Sequence, residues 1–231
     1  MKDGILIIDK PSGTSSFGVV KRVRYSLGGQ LKVGHTGTLD PAATGVLVLC
    51  IGKATKLAEK LSRQDKEYQG TVKLGERTDT LDREGTILET GDCSEITAER
   101  IEQALAPYRG EISQLPPMYS AVKHKGKRLY KLARKGEEVE RKARKAIIHH
   151  LQLEEFNPPY FTIRVGCSKG TYIRALADDI GRDLGCGACL WSLVRTGCGH
   201  FSLEEGISLA AFEKLSLSQR WQLVLPLDDL R

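Results

Sequence analysis

Long hydrophobic runs are missing from the N-terminal part of the sequence. The longest one there, Ile5 to Ile8, is too short for the apolar core of a signal peptide or for a membrane span. We therefore expect a cytoplasmic protein that has no membrane as a partner. The 231 residues and the hydrophobic content of 40% suffice for a packed core of one large domain or two small ones.

The sequence also has little that suggests a disulfide framework or a metal centre. Its six cysteines stand mostly singly in apolar segments, which is typical of small buried side chains in a reducing compartment. Cys186, Cys189, Cys198 and His200 have the spacing CxxC followed by CxH, which a zinc site could use. Because the segment between them is apolar and Cys198 and His200 alternate on a predicted strand, we predict no metal.

A nucleotide-binding loop of the type GxxxxGK[ST] is missing as well. Gly52-Lys53 is followed by Ala54, and no glycine stands five residues before Gly52. Binding of a nucleoside triphosphate is therefore not indicated.

The hydrophobic pattern predicts runs of strands with occasional helices and no internal repeat. The predicted strands are residues 4–8, 46–51, 68–75, 84–88, 147–156, 160–167, 190–195 and 200–203. The first predicted helix begins at Ser15 or Ser16 and runs to Leu27. The other predicted helices cover residues 54–61, 97–106, 171–184 and 209–215. This order favours a mixed α+β fold over a regular array of βαβ units.

Some of these elements carry more detailed expectations. On the first helix, the residues expected on the core face are Phe17, Val20, Val23 and Leu27. The strands at 68–75 and 84–88 are expected to pair with each other. The strands at 147–156 and 160–167 are expected to form a hairpin around the turn at residues 157–159.

The loop at residues 34–45, GHTGTLDPAATG, is the first candidate site. Its glycines allow close approach of the backbone to a ligand, and Asp40 offers one carboxylate beside His35. Asp-Pro is also a common start of a turn, and the residue types alone favour that interpretation of Asp40-Pro41.

The segment at residues 121–150 is strongly basic. It contains eleven Lys or Arg against three Glu, a net charge of +8, whereas the rest of the chain sums to −2. A phosphate backbone is one natural partner for such a segment, and a solvated surface insertion is the other interpretation. The charge run alone does not decide between them. Its first cations are Lys123, Lys125, Lys127 and Arg128.

The amphipathic helix predicted at 171–184 carries several charged residues. Arg174 could pair with Asp178 four residues later, or it could neutralise Asp40. Asp178, Asp179 and Asp183 are expected on the wet face of this helix.

Five ordered segments resemble the bacterial tRNA pseudouridine-55 synthase family, the TruB type, across nearly the whole chain. These segments are GILIIDKPSGTSS, KVGHTGTLDPAATGVLVLCIGKATK, DKEYQGTVKLGERTDTLDREG, QLPPMYSAVKHKGKRLYKLARKG and SKGTYIRALADDIGRDLG. The block GHTGTLDPAATG is specific for this group of enzymes, unlike an isolated glycine-rich loop.

The resemblance implies a fold, an activity and partners. The fold would be a mixed, largely antiparallel central sheet flanked by helices, with one catalytic domain over residues 1–231 and an RNA-clasping insertion at about 121–150. The activity would be the cofactor-free isomerisation of uridine 55 in the T loop of transfer RNA. We expect a monomer without an obligate protein partner, and we expect that the PUA-type domain common after a segment like VLPLDDL is absent.

The resemblance also assigns roles to residues. Asp40 matches the family's essential aspartate and would be the nucleophile, and Tyr68 would stack on the target base. Tyr172 and Arg174 match positions near the carboxylate, where the guanidinium would favour its ionised form.

Further matches concern the base pocket and the loop. Leu193 would line the base pocket, and His35 would enter the space that the flipped nucleotide leaves. Lys10 and Pro11 match a motif that supports the loop. The competing hypotheses are an RNA-binding or RNA-folding protein without catalysis on the same scaffold and, more weakly, a zinc-dependent RNA-binding module.

Overall fold

The computed structural model describes residues 3–227, so the last residues of the VLPLDDL segment lie outside the described part. The chain divides into two compact units. The first unit contains residues 1–68 and 193–231 within those limits, and the second contains Gln69–Ser192. Both units combine helices with mostly antiparallel strands, which confirms the predicted α+β class. None of the helices within residues 3–227 has the length and apolar character needed to cross a lipid bilayer.

The elements alternate along the chain much as the hydrophobic pattern predicts. The strands are β1 Gly4–Lys10, β2 Val33–His35, β3 Thr44–Ile51, β4 Lys66–Leu74, β5 Glu76–Thr78, β6 Ile87–Thr90, β7 Gly110–Gln114, β8 Lys123–His124, β9 Lys127–Arg128, β10 Arg144–Asn157, β11 Tyr160–Cys167, β12 Ala188–Cys198, β13 Phe201–Ser202, β14 Ile207–Ser208 and β15 Leu225–Pro226. The α-helices are α1 Ser16–Ser26, α2 Ala58–Ser62, α3 Ala98–Leu105, α4 Leu129–Ala133, α5 Ile173–Asp183, α6 Leu209–Lys214 and α7 Leu217–Gln222. Short 3-10 helices cover Gly52–Leu57, Ala106–Tyr108 and Leu203–Glu205.

The sheet of the first unit is built around β1 and β3. These strands pair antiparallel over their whole length, from Gly4 opposite Ile51 to Lys10 opposite Gly45. β3 also pairs with β2 and, in parallel, with the part of β12 that lies in this unit. Alternate residues of β1 and β3 belong to different hydrophobic clusters, so both faces of the sheet are buried.

Helix α1 packs one face against this sheet. The Ser15 hydroxyl caps the helix by accepting from the Gly18 amide at 3.0 Å. Its buried residues include Val20 and Val23, as expected, but Phe17 is 61% exposed, so that part of the prediction is wrong. Phe17 lies about a quarter turn from the centre of the buried face, which takes Val19 instead.

Hairpin formation in the second unit matches one expectation and contradicts another. β10 and β11 pair antiparallel up to Asn157 opposite Tyr160, which confirms the predicted hairpin. The expected pairing of residues 68–75 with 84–88 is wrong, because β6 pairs with β5. The reason is Gly75, whose φ of +83° ends β4 and lets the chain turn before β5 begins.

Helix α5 differs from its expectation at one acidic residue. Asp178 is buried rather than on the wet face. Its carboxylate binds the Arg77 Nε at 2.8 Å and an Arg182 Nη at 2.9 Å. A carboxylate withdrawn from water needs such charged partners, and the sequence pattern of a single helix does not disclose Arg77.

Replacing Phe212 on α6 with alanine should destabilise the protein. Phe212 is fully buried in the cluster that contains the apolar face of α1, so Phe212→Ala should lower the free energy of unfolding by about 3–5 kcal/mol. Phe17→Ala is the matched control, and it should cost less than about 1 kcal/mol because the ring is largely exposed. Urea denaturation measures both, and equal losses would contradict the different burial of the two rings.

Candidate functional site

The loop at residues 36–43, called the Asp40 loop below, lies between β2 and β3. The amide of Thr36 donates to the carbonyl of Val48 at 3.1 Å, which extends the β2–β3 pairing to the start of the loop. The amide of Ala43 donates to the carbonyl of Asp40 at 3.1 Å and closes a turn. The Asp-Pro pair therefore does form a turn, and the half-buried Asp40 stands at its first position.

Ser16 fixes the residue before Asp40. The Ser16 hydroxyl accepts from the amide of Leu39 at 2.8 Å and donates to the carbonyl of the same residue at 2.9 Å. Ser16 and Leu39 are both buried, so these hydrogen bonds replace water that does not reach the site. The first residue of α1 thus holds the backbone next to Asp40.

Lys10 fixes the residue after Asp40. Its side chain is 0% exposed, and its ammonium donates to the carbonyls of Pro11 at 2.8 Å, Thr14 at 2.7 Å and Pro41 at 3.0 Å. The amide of Gly13 donates to the same Pro41 carbonyl at 2.9 Å. The turn that follows β1 is therefore bound to the Asp40 loop through one buried cation.

Arg195 ties the start of the loop to β3. Its side chain is 1% exposed, and its guanidinium donates to the carbonyls of Val46 at 2.7 Å and Gly37 at 3.2 Å. Gly45, opposite Arg195 in the parallel pairing, has a φ of +97°. A Cβ there would lie 2.2 Å from the Arg195 carbonyl oxygen, so this close approach requires glycine.

His35 stands at the end of β2, directly before the Asp40 loop. Burial lowers the pKa of its imidazole, and the positive charge of Arg195 lowers the pKa further. Its Nδ1 atom is buried and makes no hydrogen bond with any of residues 3–227. The ring is therefore neutral at neutral pH.

Tyr68 and Leu193 lie on strands of the first unit. Tyr68 is buried on β4, and Leu193 is half-buried on β12, one residue before Val194, which is opposite Thr44. Near the start of β4, the buried Lys66 ammonium donates to the Ser62 carbonyl at 2.7 Å.

Tyr172 and Arg174 lie in the second unit at the start of α5. The buried Arg174 guanidinium donates to the carbonyls of Tyr119 at 2.6 Å and Thr80 at 3.3 Å. Its central carbon lies 6.0 Å from the centre of the Tyr172 ring. The buried amide of Gln114 binds the Tyr172 backbone at both its amide and its carbonyl.

The first cations of the basic segment lie on a small hairpin formed by β8 and β9. Lys125 and Gly126 form its turn with φ values of +46° and +82°, the left-handed geometry typical of a tight two-residue connection. The exposed cations of this hairpin are Lys123, Lys125, Lys127 and Arg128. Within the part of the chain that the structure describes, none of the four pairs with an acidic side chain. Buried Leu129 and Leu132 of α4 anchor the segment.

The predicted residues are thus distributed over both units. The first unit holds His35, Asp40, Tyr68 and Leu193, and the second holds Tyr172, Arg174, Lys123, Lys125, Lys127 and Arg128. The pairing of Arg174 with Asp40 stays a prediction. Among residues 3–227 there is no group of three or more His, Cys, Asp or Glu side chains arranged to hold a metal ion.

Sequence reasoning missed the residues whose side chains bind the main chain next to the candidate site residues. Ser16 was recognisable as a helix start but not as a partner of Leu39. The sequence contained one indication for Arg195, because it is a charged residue within an otherwise apolar strand. It contained none for Gln114, because its partner Tyr172 is 58 positions away in the chain.

The chain matches the models of one protein family. Residues 24–173 match the TruB family pseudouridylate synthase (N terminal domain), and residues 174–230 match the tRNA pseudouridylate synthase B C-terminal domain. A tRNA pseudouridine synthase B of Francisella philomiragia is 51% identical over 94% of this chain and 72% of its own length. The protein of that name from Azoarcus sp. is 49% identical over 99% of this chain and 75% of its own length.

Solved structures show the same similarity. A chain in the crystal structure of a Cbf5-Nop10-Gar1 complex matches 96% of this chain with a TM-score of 0.75 and 30% identity. A chain in an H/ACA RNP bound to a substrate RNA containing 2'-deoxyuridine matches 91% with a TM-score of 0.69 and 28% identity. This chain spans 60% and 52% of those two chains.

Removing the Ser16 hydroxyl should loosen the Asp40 loop. Ser16→Ala leaves the buried amide and carbonyl of Leu39 without their partner, so the Leu39 amide should exchange with solvent at least about tenfold faster. Ser15→Ala is the matched control. It removes the cap of the same helix at a similar cost of about 1 kcal/mol, but it should leave Leu39 protected. Hydrogen exchange read by NMR measures both, and equal deprotection in the two variants would contradict a specific role for Ser16.

Proposed function

Because the chain belongs to the TruB family of pseudouridylate synthases, we propose that its target is uridine 55 in the T loop of transfer RNA and that Asp40 is the nucleophile. The enzyme isomerises uridine to pseudouridine in tRNA. The observation that carries the finer proposal is the Asp40 loop, which is bound from both sides by buried hydrogen bonds. Because the backbone on both sides of Asp40 is fixed, its carboxylate is preorganised for a reaction.

The reaction suits a single carboxylate. The bond between ribose C1′ and N1 of the base breaks, the uracil turns, and C5 is joined to C1′. C5 then loses its proton and N1 gains one, so the isomerisation involves no net oxidation or hydrolysis. Asp40 could attack C1′ or the base, or it could assist by taking a proton from C2′. None of these routes requires a cofactor.

Asp40 has to be ionised to act in this way. Arg174 is proposed to favour its charged form, as the family resemblance implies. Support within the first unit comes from Lys10 and Arg195, whose charged groups bind the main chain on either side of Asp40, at Pro41 and Gly37. Cations at these positions favour a negative charge on the loop.

The target base has to leave the stacked RNA loop before Asp40 can reach it. Unstacking costs a few kcal/mol, and stacking of the base on Tyr68 would return about 1–3 kcal/mol. His35 is proposed to fill the place that the base leaves. The lowered pKa of His35 supports this role, because a neutral ring is transferred into a base stack at less cost than an imidazolium ion. Leu193 would help to exclude water, which otherwise hydrolyses a glycosidic intermediate.

The basic hairpin is proposed to bind the phosphates of the T stem-loop, and Tyr172 is proposed to bind the substrate near the carboxylate. The four cations of the hairpin are exposed and, within residues 3–227, are not neutralised by acidic partners. Such contacts supply affinity and orientation but no choice of base. They also make the affinity depend on salt concentration.

Asp40→Asn should abolish catalysis and spare binding. The amide keeps the shape of the carboxylate but is a poor nucleophile, so tritium release from C5-labelled uridine in an unmodified tRNA transcript should fall by about a thousandfold or more. The Kd for tRNA should stay within about a factor of three. Asp92→Asn, at an exposed aspartate of the second unit, is the control and should react at the normal rate. Turnover by the Asp40 variant would show that Asp40 is not the nucleophile, and absence of turnover by the unaltered protein would favour the RNA-binding hypothesis. Mapping the modified nucleotide tests position 55 separately.

Charge reversal on the hairpin should weaken RNA binding without regard to sequence. The double variant Lys123→Glu/Lys127→Glu should raise the Kd and reduce the slope of log Kd against log salt by about 0.9 for each phosphate that the hairpin no longer binds. Lys60→Glu/Lys214→Glu changes the net charge by the same amount on α2 and α6 and serves as the control. If both pairs change the slope equally, the hairpin is ordinary solvated surface.

A further inference from the structure

We propose that Gln114 is a positioning residue that holds Arg174 in place for the isomerisation. The inference rests on the proposed function, in which Arg174 acts beside the carboxylate. It concerns only the second unit, where the end of β7, the basic segment and the start of α5 are joined by side-chain and main-chain hydrogen bonds.

Gln114 binds the residue before α5 at both of its polar main-chain atoms. Its Oε1 accepts from the Tyr172 amide at 2.8 Å, and its Nε2 donates to the Tyr172 carbonyl at 3.0 Å. Gln114 is buried, and Tyr172 is the N-cap residue of α5, whose side chain makes no capping hydrogen bond. The side-chain amide of glutamine carries a donor and an acceptor side by side, so Gln114 can satisfy both main-chain atoms of Tyr172 at once.

Arg174 is hydrogen-bonded to residues 114–119, the stretch of chain that begins at Gln114. Its guanidinium donates to the Tyr119 carbonyl at 2.6 Å, five residues after Gln114. Residues 114–119 are thus bound to residues 172–174 at both ends. If the bond at Gln114 is lost, the Tyr119 carbonyl is held less firmly, and the guanidinium loses its orientation.

The basic hairpin is connected to this stretch by main-chain hydrogen bonds. The Tyr130 amide donates to the Ser120 carbonyl at 3.0 Å, and the Leu129 amide donates to the Val122 carbonyl at 2.8 Å. The hairpin that is proposed to bind phosphates is therefore tied in at the residue next to Tyr119. Residues 114–122 therefore join Gln114, the partner of the Arg174 guanidinium and the hairpin in one continuous stretch of chain.

A purely structural role for Gln114 predicts a different outcome. Gln114 is also the last residue of β7, opposite Arg144 of β10, so its loss could simply destabilise the sheet edge. Such destabilisation would lower the fraction of folded enzyme and reduce binding and turnover together. Positioning of Arg174 predicts a slower chemical step in enzyme that is folded and binds RNA normally.

The first experiment separates these outcomes with Gln114→Met, which keeps the length of the side chain and removes both hydrogen bonds. In single-turnover reactions at saturating tRNA, we expect pseudouridine formation to slow by about ten- to a hundredfold, the effect of misplacing a reacting group by about 1 Å. The Kd for tRNA should stay within about a factor of three. Gln152→Met, on the exposed side of β10, is the control and should react normally. An unchanged rate in Gln114→Met, or a rise in Kd that accounts for the slower reaction, would overturn the proposal.

The second experiment asks whether Gln114 acts through Arg174. In an Arg174→Lys background, Gln114→Met should slow the reaction by less than about a factor of two, because the group that it positions is already gone. Multiplicative losses would overturn the inference while leaving the proposed function intact. A normal rate for Arg174→Lys alone would overturn both the role of Arg174 and the inference. If Gln114→Met does not fold, Gln114→Glu replaces it: the carboxylate still accepts from the Tyr172 amide but repels the Tyr172 carbonyl, and the same slowing without weaker binding is expected.

Discussion

The position of Asp40 depends on hydrogen bonds from buried cations to main-chain oxygens of its loop. Withdrawing an ammonium group such as that of Lys10 from water costs several kcal/mol. Three hydrogen bonds from a charged donor, each worth about 1.5–3 kcal/mol, offset this cost. Because the cost is recovered only when all these carbonyls are in place, the cation specifies one arrangement of the turn after β1 and of the loop. Arg195 does the same between Gly37 and Val46.

A buried cation that is bound by main-chain carbonyl groups keeps more of its electrostatic field than one bound by a carboxylate. A cation bound to a carboxylate loses most of its field, whereas hydrogen bonds to neutral oxygens leave its net charge intact. The carbonyl contacts of Arg195 with Val46 and Gly37 therefore fix its guanidinium without neutralising its charge. Asp178 shows the contrasting case, in which Arg77 and Arg182 compensate a buried carboxylate and serve the packing of α5. The distinction separates Arg195, which binds main-chain carbonyls next to the Asp40 loop, from Arg77 and Arg182, which compensate a buried carboxylate.

The sequence was sufficient for the elements whose signal is local. Periodicity and end residues located α1, α5 and the β10–β11 hairpin, and the motif around Asp40 located the loop. Pairing between strands was harder to predict from the sequence. The hydrophobic pattern predicted a strand near β6, but its pairing with β5 depends on Gly75, whose left-handed conformation ends β4. Single contacts between residues far apart in the sequence could not be predicted. Examples are the hydrogen bonds of Ser16 with Leu39 and of Arg195 with Gly37, which is 158 positions away from Arg195.

Arg195 affects two features of the first unit that the proposed base flipping would use. Arg195 holds the start of the Asp40 loop, and its charge also disfavours protonation of His35, the residue just before that loop. A histidine that carried a charge would keep its hydration shell and would resist transfer into a stack of bases. Burial is the main cause of the lowered pKa of His35, and Arg195 adds to it, so a neutral side chain in place of Arg195 would loosen the loop and partly restore the pKa of His35. The contacts of Arg195 with the Asp40 loop give a physical reason for an arginine, rather than an apolar side chain, at this buried position of β12, although burying the guanidinium costs free energy.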